Sequence, residues 1–271
     1  MDPVEQQPDT ERSVGRSASS ERLAAAAVHE LKRQAARPLE PGVYLVATPI
    51  GNLADITLRA LHVLAHCDVI YCEDTRVSSR LMQHYGIGAP LKAFHDHNEE
   101  SEIPRIIDRV AKGARVAVVS DAGTPLVSDP GFKLVRACVA GGVPVTSLPG
   151  PSALLAGLAA SGLPTDQFTF AGFLPPKQSA RRARLAQLLS VPGTLVFFEA
   201  PQRLSETLAD MAHVLGERAG AVGRELTKLH EELARGTLAE LAGAFAAREV
   251  KGEAVILAGP PLRREAGDED I

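Results

Sequence analysis

Cysteine is scarce in this sequence, and long apolar runs are missing from it. The 271 residues include only Cys67, Cys72 and Cys138, each among apolar neighbours. Their spacing fits neither a zinc site nor a disulfide framework, so we expect a reducing, cytoplasmic compartment. No apolar stretch has the length that a bilayer requires, so we expect no membrane as a partner.

Excess charge of one sign and several common signature motifs are also missing. The formal net charge is only −4, so any RNA contact depends on a local basic patch, and DNA is not an expected partner. There is no GxGxxG after the first predicted strand, no GxxxxGK[ST] and no GxSxG. These absences disfavour a Rossmann dinucleotide site, a P-loop NTPase and an α/β-hydrolase.

A regular alternation of strands and helices is present instead. Apolar, β-branched runs predict strands at 42–47, 68–72, 91–94, 115–119 and 143–148, each followed by a polar loop and a helix. Such alternation predicts an α/β fold with a parallel sheet and helices on both of its faces. The loops after the strands then share one edge of the sheet, where open α/β sheets bind ligands.

The loop at 120–131 is the strongest candidate for a ligand cradle at that edge. It holds Gly123 and Pro125 between a buried strand and a helix predicted at 132–140. Asp129 is placed to cap that helix, and Pro130 fits its first turn. A plain strand-to-helix connection is the alternative interpretation. By the same logic, Asn52 or Asp55 caps the helix that follows the first strand.

The spacing of the predicted strands and helices changes near residue 163, where the second half of the chain begins. Closely spaced strands predict a mixed, partly antiparallel sheet with helices. We therefore predict a flexible extension at 1–40, an α/β domain at 41–162, a second α/β domain at 163–262 and an acidic tail at 263–271. His95 and His97 lie near each other, but a third ligand at a recognisable spacing is missing, so no metal is predicted.

Eight motifs, taken together and in order, resemble a known family. They are LVATPIGNL (45–53), CEDTR (72–76), FHDHNE (94–99), SDAGTP (120–125), SDPG (128–131), LPGPSA (148–153), FFEAP (197–201) and RELTK (224–228). The pattern resembles the tetrapyrrole-methylase-like methyltransferases, which use S-adenosylmethionine. This resemblance implies a homodimer of two-domain chains, with the cofactor bound in the cleft between the domains.

The resemblance also implies which residues hold the cofactor. They belong to the loops after three strands of the first domain and to parts of the second domain: Pro49, Ile50, Gly51, Asp121, Ala122, Gly123, Thr124, Pro125, Pro149, Gly150, Ser152, Ala153, Glu199, Ala200 and Ala258.

Within the family, the motifs are most similar to enzymes that methylate the ribose 2′-hydroxyl of a cytidine in the decoding region of 16S rRNA. The substrate is then the RNA, free or within the small ribosomal subunit. A general base must reach that hydroxyl, and the candidates are Glu73, Asp74, His95 and Asp121. Our hypothesis is that Asp74 or Asp121 is needed for turnover.

A basic helix near 179–189 is the candidate for RNA contact. Its cations, with one just before it, are Lys177, Arg181, Arg182 and Arg184. They either contact phosphates or form a solvated helix face. Two other functions remain open at this point: methylation of a tetrapyrrole or other non-RNA molecule by the same fold, and a non-catalytic nucleotide- or RNA-binding module.

Overall fold

A five-stranded parallel sheet forms the first half of the chain. The computed structural model describes residues 10–246 and 248–261. The strands are β1 (Gly42–Val46), β2 (Val69–Cys72), β3 (Leu91–Ala93), β4 (Arg115–Val119) and β5 (Val145–Leu148). They stand in the order β3-β2-β4-β1-β5, and every neighbouring pair is parallel. The predicted parallel sheet is confirmed.

Apolar clusters cover both faces of this sheet. The helices of the first half are α1 (Thr10–Ala35), α2 (Leu58–His66), α3 (Thr75–His84), α4 (Glu99–Ala111), α5 (Phe132–Ala140) and α6 (Ala153–Ala160). Along β1, Tyr44 and Val46 join one apolar cluster, whereas Val43 and Leu45 join another. Burial on both faces explains why these strands are unbroken apolar runs rather than alternating ones.

The second half forms a mixed sheet, as predicted. Its strands are β6 (Phe168–Phe173), β7 (Thr194–Glu199), β8 (Ala219–Arg224), β9 (Glu232–Thr237) and β10 (Ala254–Ala258), in the order β6-β7-β10-β8-β9. Strands β6 and β7 are parallel, and the other neighbours are antiparallel. The helices here are α7 (Gln178–Gln187), α8 (Leu204–Leu215) and α9 (Leu238–Ala246).

The two halves share an apolar interface. Ile50 and Leu158 of the first half belong to one buried cluster with Val255 and Leu257 of β10. A Cβ atom on Gly157 of α6 would lie only 3.2 Å from the Cγ1 atom of Val255, so a residue without a side chain allows this close approach. The interface fixes the two sheets against each other and leaves a cleft beside it.

Both alternatives for the cap of α2 are wrong. Thr57 caps α2, because its side chain accepts a hydrogen bond from the backbone N–H of Ala60. Asn52 instead caps a short 3-10 helix, Leu53–Asp55, which contains Asp55 itself. The chain makes one additional turn before α2 begins, and this turn moves both predicted caps away from its first N–H groups.

The predicted cap of α5 is wrong as well. Gly131 occupies the cap position with φ 125, and α5 begins after it, so Asp129 and Pro130 lie outside the helix. The backbone N–H of Gly131 donates to Oε1 of Glu99, at 3.1 Å. The buried carboxylate of Glu99, from α4, therefore accepts a hydrogen bond at the first turn of α5. The Asp129 side chain does not cap this helix.

The N-terminal region, predicted as a flexible extension at 1–40, contains a helix. Helix α1 begins at Thr10 and contacts α2. The acidic tail predicted at 263–271 lies outside the described residues. Among residues 10–246 and 248–261, no helix combines the length and apolar character needed to cross a membrane.

Candidate active site

A cleft of about 410 Å³ lies between the two sheets. Its size suits a ligand of a few hundred daltons, since such sites commonly occupy 300–1,000 Å³. The lining combines loops of the first sheet with strand ends of the second. It consists of Ile50, Asp121, Ala122, Gly123, Thr124, Val127, Ser128, Asp129, Ser152, Ala153, Phe173, Phe198, Glu199, Ala200, Pro201, Gln202, Gly223, Leu226, Glu253, Ala254 and Val255.

Hydrogen bonds join the three loops that form the first-sheet wall. The backbone groups of Thr48 and Gly123 pair in both directions, with N···O distances of 2.9 Å and 3.0 Å. The Thr48 hydroxyl donates to the carbonyl of Ser120, and the Thr124 hydroxyl donates to the carbonyl of Pro151. The loops after β1, β4 and β5 thus form one bonded unit, which holds their backbone groups in place before a ligand binds.

The loop after β4 contains strained backbone, as does the loop after β8, where Glu225 and Thr227 also have positive φ values. Leu126 and Ser128 adopt φ values of 72° and 68°, and Gly123 has a φ value of 85°. Left-handed conformations are costly for residues other than glycine and occur often at functional sites. Here the turns direct the side chains of Val127 and Asp129 into the cleft.

Three carboxyl groups lie close together at one side of the cleft. Asp121 and Asp129 line it, and Glu73 lines a small cavity that also touches Asp129. Burial, with repulsion from the carboxylates of Glu73 and Asp121, raises the pKa of Asp129 to about 6, although a hydrogen bond from Ser120 opposes this shift. Burial also raises the pKa of Asp121 and that of Glu73. Asp129 is therefore poised to exchange a proton near neutral pH.

The carboxyl group of Asp74 has a different environment from those of Asp121, Asp129 and Glu73. It caps α3 and forms an ion pair with Arg76, whose Nη2 lies 2.6 Å from Oδ2 of Asp74. Hydrogen bonds from the Arg76 side chain and backbone lower the pKa of Asp74 to about 2. Its backbone N–H donates to Oδ1 of Asp121, at 3.1 Å. These contacts give Asp74 a structural task in positioning Asp121.

An aromatic group lies at the second-sheet side. Phe198 and Phe173 line the cleft, and Phe170 packs behind them. The ring centroid of Phe198 lies 4.8 Å from that of Phe170 and 5.8 Å from that of Phe173. The cleft therefore has an acidic side and an aromatic side.

Many of the predicted cofactor residues line the cleft. They are Ile50, Asp121, Ala122, Gly123, Thr124, Ser152, Ala153, Glu199 and Ala200. The others lie outside the lining: Pro49, Gly51, Pro125, Pro149, Gly150 and Ala258. Gly51 packs against the Lys228 side chain, and Gly150 packs against Ala47. These glycines shape the loops rather than contact the cleft.

Ala258, a predicted cofactor residue on β10, does not line the cleft, and its role stays a prediction. It pairs with Leu195 and Gly220 at the far end of the strand, and Ala254 and Val255 line the cleft instead. The Glu199 carboxylate accepts hydrogen bonds from the backbone of Ala200 and from Thr207. Glu199 thus braces this strand end, in addition to bordering the cleft.

Sequence reasoning missed Asp129 and the aromatic side as parts of the site. Asp129 was assigned to a helix cap, and Phe173 has no polar chemistry that would mark it. One signal was present, because SDPG at 128–131 was among the family motifs. An Asp that belongs to such a motif and lies in a loop at the edge of a sheet is itself a candidate catalytic residue.

Helix α7 does not present all of its cations to solvent. The Arg181 side chain is only 1% exposed, and its Nε lies 2.6 Å from Oδ2 of Asp210 on α8. The prediction that Arg181 contacts phosphate is wrong, because the guanidinium is enclosed and paired. Arg182 also binds Asp210 but is 41% exposed, and Arg184 is exposed.

The two histidines near the third strand do not form part of a recognisable metal site. The ring centroids of His95 and His97 are 5.8 Å apart. In the part of the chain that the structure describes, no group of three or more His, Cys, Asp or Glu side chains could hold a metal ion. His95 does not line the cleft.

Known proteins similar to this chain share its sequence over most of its length. A protein from Mesorhizobium japonicum named ribosomal RNA small subunit methyltransferase I is 56% identical over 87% of this chain and 81% of its own. The protein of that name from Vibrio cholerae is 47% identical over 85% of this chain and 81% of its own.

Solved structures and a family model agree with this similarity. A cobalt precorrin-4 methyltransferase superposes with a TM-score of 0.60 at 21% identity, over 80% of this chain and 94% of its own. A uroporphyrin-III C-methyltransferase from Thermus thermophilus, complexed with S-adenosylhomocysteine, gives 0.55 at 23% identity, over 80% of this chain and 97% of its own. These likenesses concern the fold. The sequence model described as tetrapyrrole (corrin/porphyrin) methylases matches residues 42–242. The resemblance drawn from the eight motifs is confirmed, and the chain belongs to the tetrapyrrole methylase family.

Proposed function

We propose that this chain transfers a methyl group from S-adenosylmethionine to the ribose 2′-hydroxyl of a cytidine in the decoding region of 16S rRNA. The observation that carries the proposal is the cleft, in which a carboxyl group with a pKa of about 6 faces a cavity large enough for a cofactor. Sequence identity of 47–56% to proteins named for small-subunit rRNA methylation supports the RNA substrate.

The cleft residues fit a nucleoside-bearing cofactor. Small side chains and backbone dominate the wall formed by Ala122, Gly123 and Ala153, so a ligand can lie directly against main-chain N–H and C=O groups. A Cβ on Gly123 would lie 3.3 Å from Cγ2 of Ile50, so this wall has little space for added side chains. The cofactor is bound by the lining residues of the loops after β1, β4 and β5, together with Ala200, Ala254 and Val255.

Methyl transfer requires the protein to position the ribose hydroxyl against the cofactor and to provide a proton acceptor. When bound, the cofactor would supply the methyl group from its sulfonium sulfur and leave as S-adenosylhomocysteine, while the ribose oxygen would form the new O–C bond and lose its proton. The Asp129 carboxylate accepts that proton, because its raised pKa makes it more basic than an ordinary Asp. Asp121 accepts a hydrogen bond from the backbone N–H of Asp74, and the negative charge of its carboxylate helps to raise the pKa of Asp129.

Three exposed or partly exposed cations remain candidates for RNA contact: Lys177, Arg182 and Arg184. Phosphate contacts made by such groups position the RNA without selecting its sequence. For the Lys177→Ala/Arg184→Ala double variant, we expect weaker binding to small subunits. The slope of log K against log salt should fall by about 1.4, since each lost contact to single-stranded RNA removes about 0.7.

Binding titrations at several salt concentrations measure this slope. Lys112→Ala is the matched control, because Lys112 is exposed at the end of α4, at the opposite edge of the first sheet from the cleft loops. An unchanged slope in the double variant would assign these two cations to a solvated helix face.

The second candidate function is methylation of a tetrapyrrole or another non-RNA molecule. The fold likeness to precorrin and uroporphyrin methyltransferases favours it, although identity there is only 21–23%. Purified protein and radiolabelled S-adenosylmethionine should be offered small ribosomal subunits or porphyrinoid precursors in parallel. Label in the RNA alone is the expected result, and label in the porphyrinoid alone would replace the proposal with this alternative.

The assembly is also part of the proposal. We take the protein to act as a homodimer in the cytoplasm, on rRNA within the small subunit. An apolar stripe on α5 supports the dimer, since Phe132 and Val139 share a face seven residues apart and are 69% and 72% exposed. Light scattering tests this directly, and a monomeric mass would contradict it.

A further inference from the structure

We propose that the Phe173 ring is the platform on which the pyrimidine base of the target nucleotide stacks. This inference rests on the proposed function and concerns how the protein binds the base of its target nucleotide. It is drawn from the irregular end of β6, from the exposure of one ring, and from the place of that ring beside the acidic side of the cleft.

A β-bulge turns Phe173 toward the cleft. Phe170 pairs with Val196, and Phe173 pairs with Phe198, so three steps on β6 match two steps on β7. Side chains alternate along a regular strand, so without the extra residue Phe170 and Phe173 would point to opposite faces. The bulge brings both rings against Phe198 on one face.

Gly172 makes this bulge possible. Its φ value is +66, a left-handed conformation that other residues seldom adopt. Bulges beside functional sites commonly redirect a single side chain. The redirected side chain here is a phenyl ring rather than a polar group, so its use is contact with an apolar or aromatic surface.

Phe173 differs from its neighbours in exposure. Among the large apolar side chains that line the cleft in the described chain, Phe173 alone is exposed, with 56% of its surface open. Phe198 is partly buried, and the contact with its ring edge fixes Phe173 from behind. One face of a held ring is thus left open at the mouth of the cleft. Proteins bind unpaired RNA bases on such rings.

The backbone that carries the ring lies next to the loop that carries the assigned proton acceptor, and Phe173 and Asp129 line the same cleft. A Cβ on Gly172 would lie 3.5 Å from the Oγ atom of Ser128, which directly precedes Asp129. A base stacked on Phe173 therefore places its own ribose beside the Ser128–Asp129 corner. The 2′-hydroxyl and the base belong to the same nucleotide, so one binding pose satisfies both contacts.

The target base suits this position better than the adenine of the cofactor does. Gly223, Ala254 and Val255 line the cleft from the second sheet and are buried, whereas Phe173 is exposed to solvent. A cofactor held there leaves the mouth free, and the substrate arriving from solvent meets Phe173 first.

Kinetics of the Phe173→Leu variant test the platform. We expect kcat/KM for small subunits to fall about 5- to 150-fold, which corresponds to the loss of one stacked base. The effect should lie mainly in KM, and Phe173→Tyr should restore it. The Kd for S-adenosylmethionine, measured by calorimetry, should stay within about twofold of the unchanged protein. Phe168→Leu is the matched control, because Phe168 is 41% exposed on the same strand and does not line the cleft.

Two results would overturn the inference while the proposed function stands. One is a Phe173→Leu variant that methylates subunits with unchanged kcat/KM. The other is an equal loss of S-adenosylmethionine affinity, which would assign the ring to the cofactor. Failure of the unchanged protein to methylate RNA under the same conditions would instead refute the proposed function, and the platform with it.

Discussion

Replacing Asp129 by Asn is expected to slow methylation of small subunits by about 100- to 10,000-fold, the usual contribution of a general base. Asn has nearly the shape of Asp but does not accept the proton of the ribose hydroxyl. The cofactor should bind the variant as it binds the unchanged protein, because the lost group acts on the substrate. Single-turnover rates and calorimetry on the same preparation measure both quantities.

The pH dependence of the rate gives an independent sign of the same group. The pKa of Asp129 is raised to about 6 by burial and by the carboxylates of Glu73 and Asp121. The carboxyl is protonated below this pH and accepts no proton, so the rate should rise through pH 6 and level off above it. The Asp129→Asn variant should lose this rise.

Two further carboxyl variants serve as comparisons. Asp74 has a pKa of about 2 and is paired with Arg76, so Asp74→Asn should keep most of the activity. The sequence-based hypothesis, in which Asp74 or Asp121 is needed, stays a prediction and is tested in the same series. A wild-type rate for Asp129→Asn, together with a large loss for Asp121→Asn, would transfer the role of base to Asp121.

The second large effect concerns stability. Arg181→Ala should lower the free energy of unfolding by about 3–5 kcal/mol, because it leaves a buried carboxylate without its main partner. Arg181 and Asp210 are each only 1% exposed, and Arg181 also donates to the carbonyl of Pro176. Burial alone would raise the pKa of Asp210, but hydrogen bonds from Arg182 and Arg181 hold it below its usual range. The pair joins α7 to α8.

Urea denaturation followed by circular dichroism measures this loss. Arg184→Ala is the matched control, since Arg184 lies on the same helix and is exposed, with a hydrogen bond to Gln187. Its change should stay within about 0.5 kcal/mol. Equal unfolding midpoints for the Arg181 and Arg184 variants would contradict a structural role for Arg181.

The fold could be predicted because its signals are local. Apolar, β-branched runs such as the one at 116–119 mark strands buried on both faces, and the loops that follow them must share one sheet edge. That geometry is enough to place Asp121, Gly123 and Ser152 around one ligand before any coordinates are known. The resemblance that the family motifs carry then identified the expected cofactor as S-adenosylmethionine.

The parts that could not be predicted depend on distant contacts. Asp129 looks like a helix cap until Glu99, thirty residues earlier in the chain, is seen to bind the N–H of Gly131. Arg181 looks like a surface cation until Asp210 on α8 is seen beneath it. The direction of Phe173 depends on one extra residue in a strand, and strand alternation gives no sign of it. The first two outcomes are each decided by a partner that is remote in sequence, and the third by a local irregularity of the strand.

The central claim is that this chain places a methyl group on one cytidine ribose of 16S rRNA. The most direct measurement maps 2′-O-methyl groups on rRNA from cells that lack the protein and from cells that regain it. The account predicts that one cytidine in the decoding region loses its methyl group, and that the unchanged gene restores it while the Asp129→Asn variant does not. A complete set of rRNA methyl groups in the deficient cells, or a missing methyl on a base instead of a ribose, would contradict it.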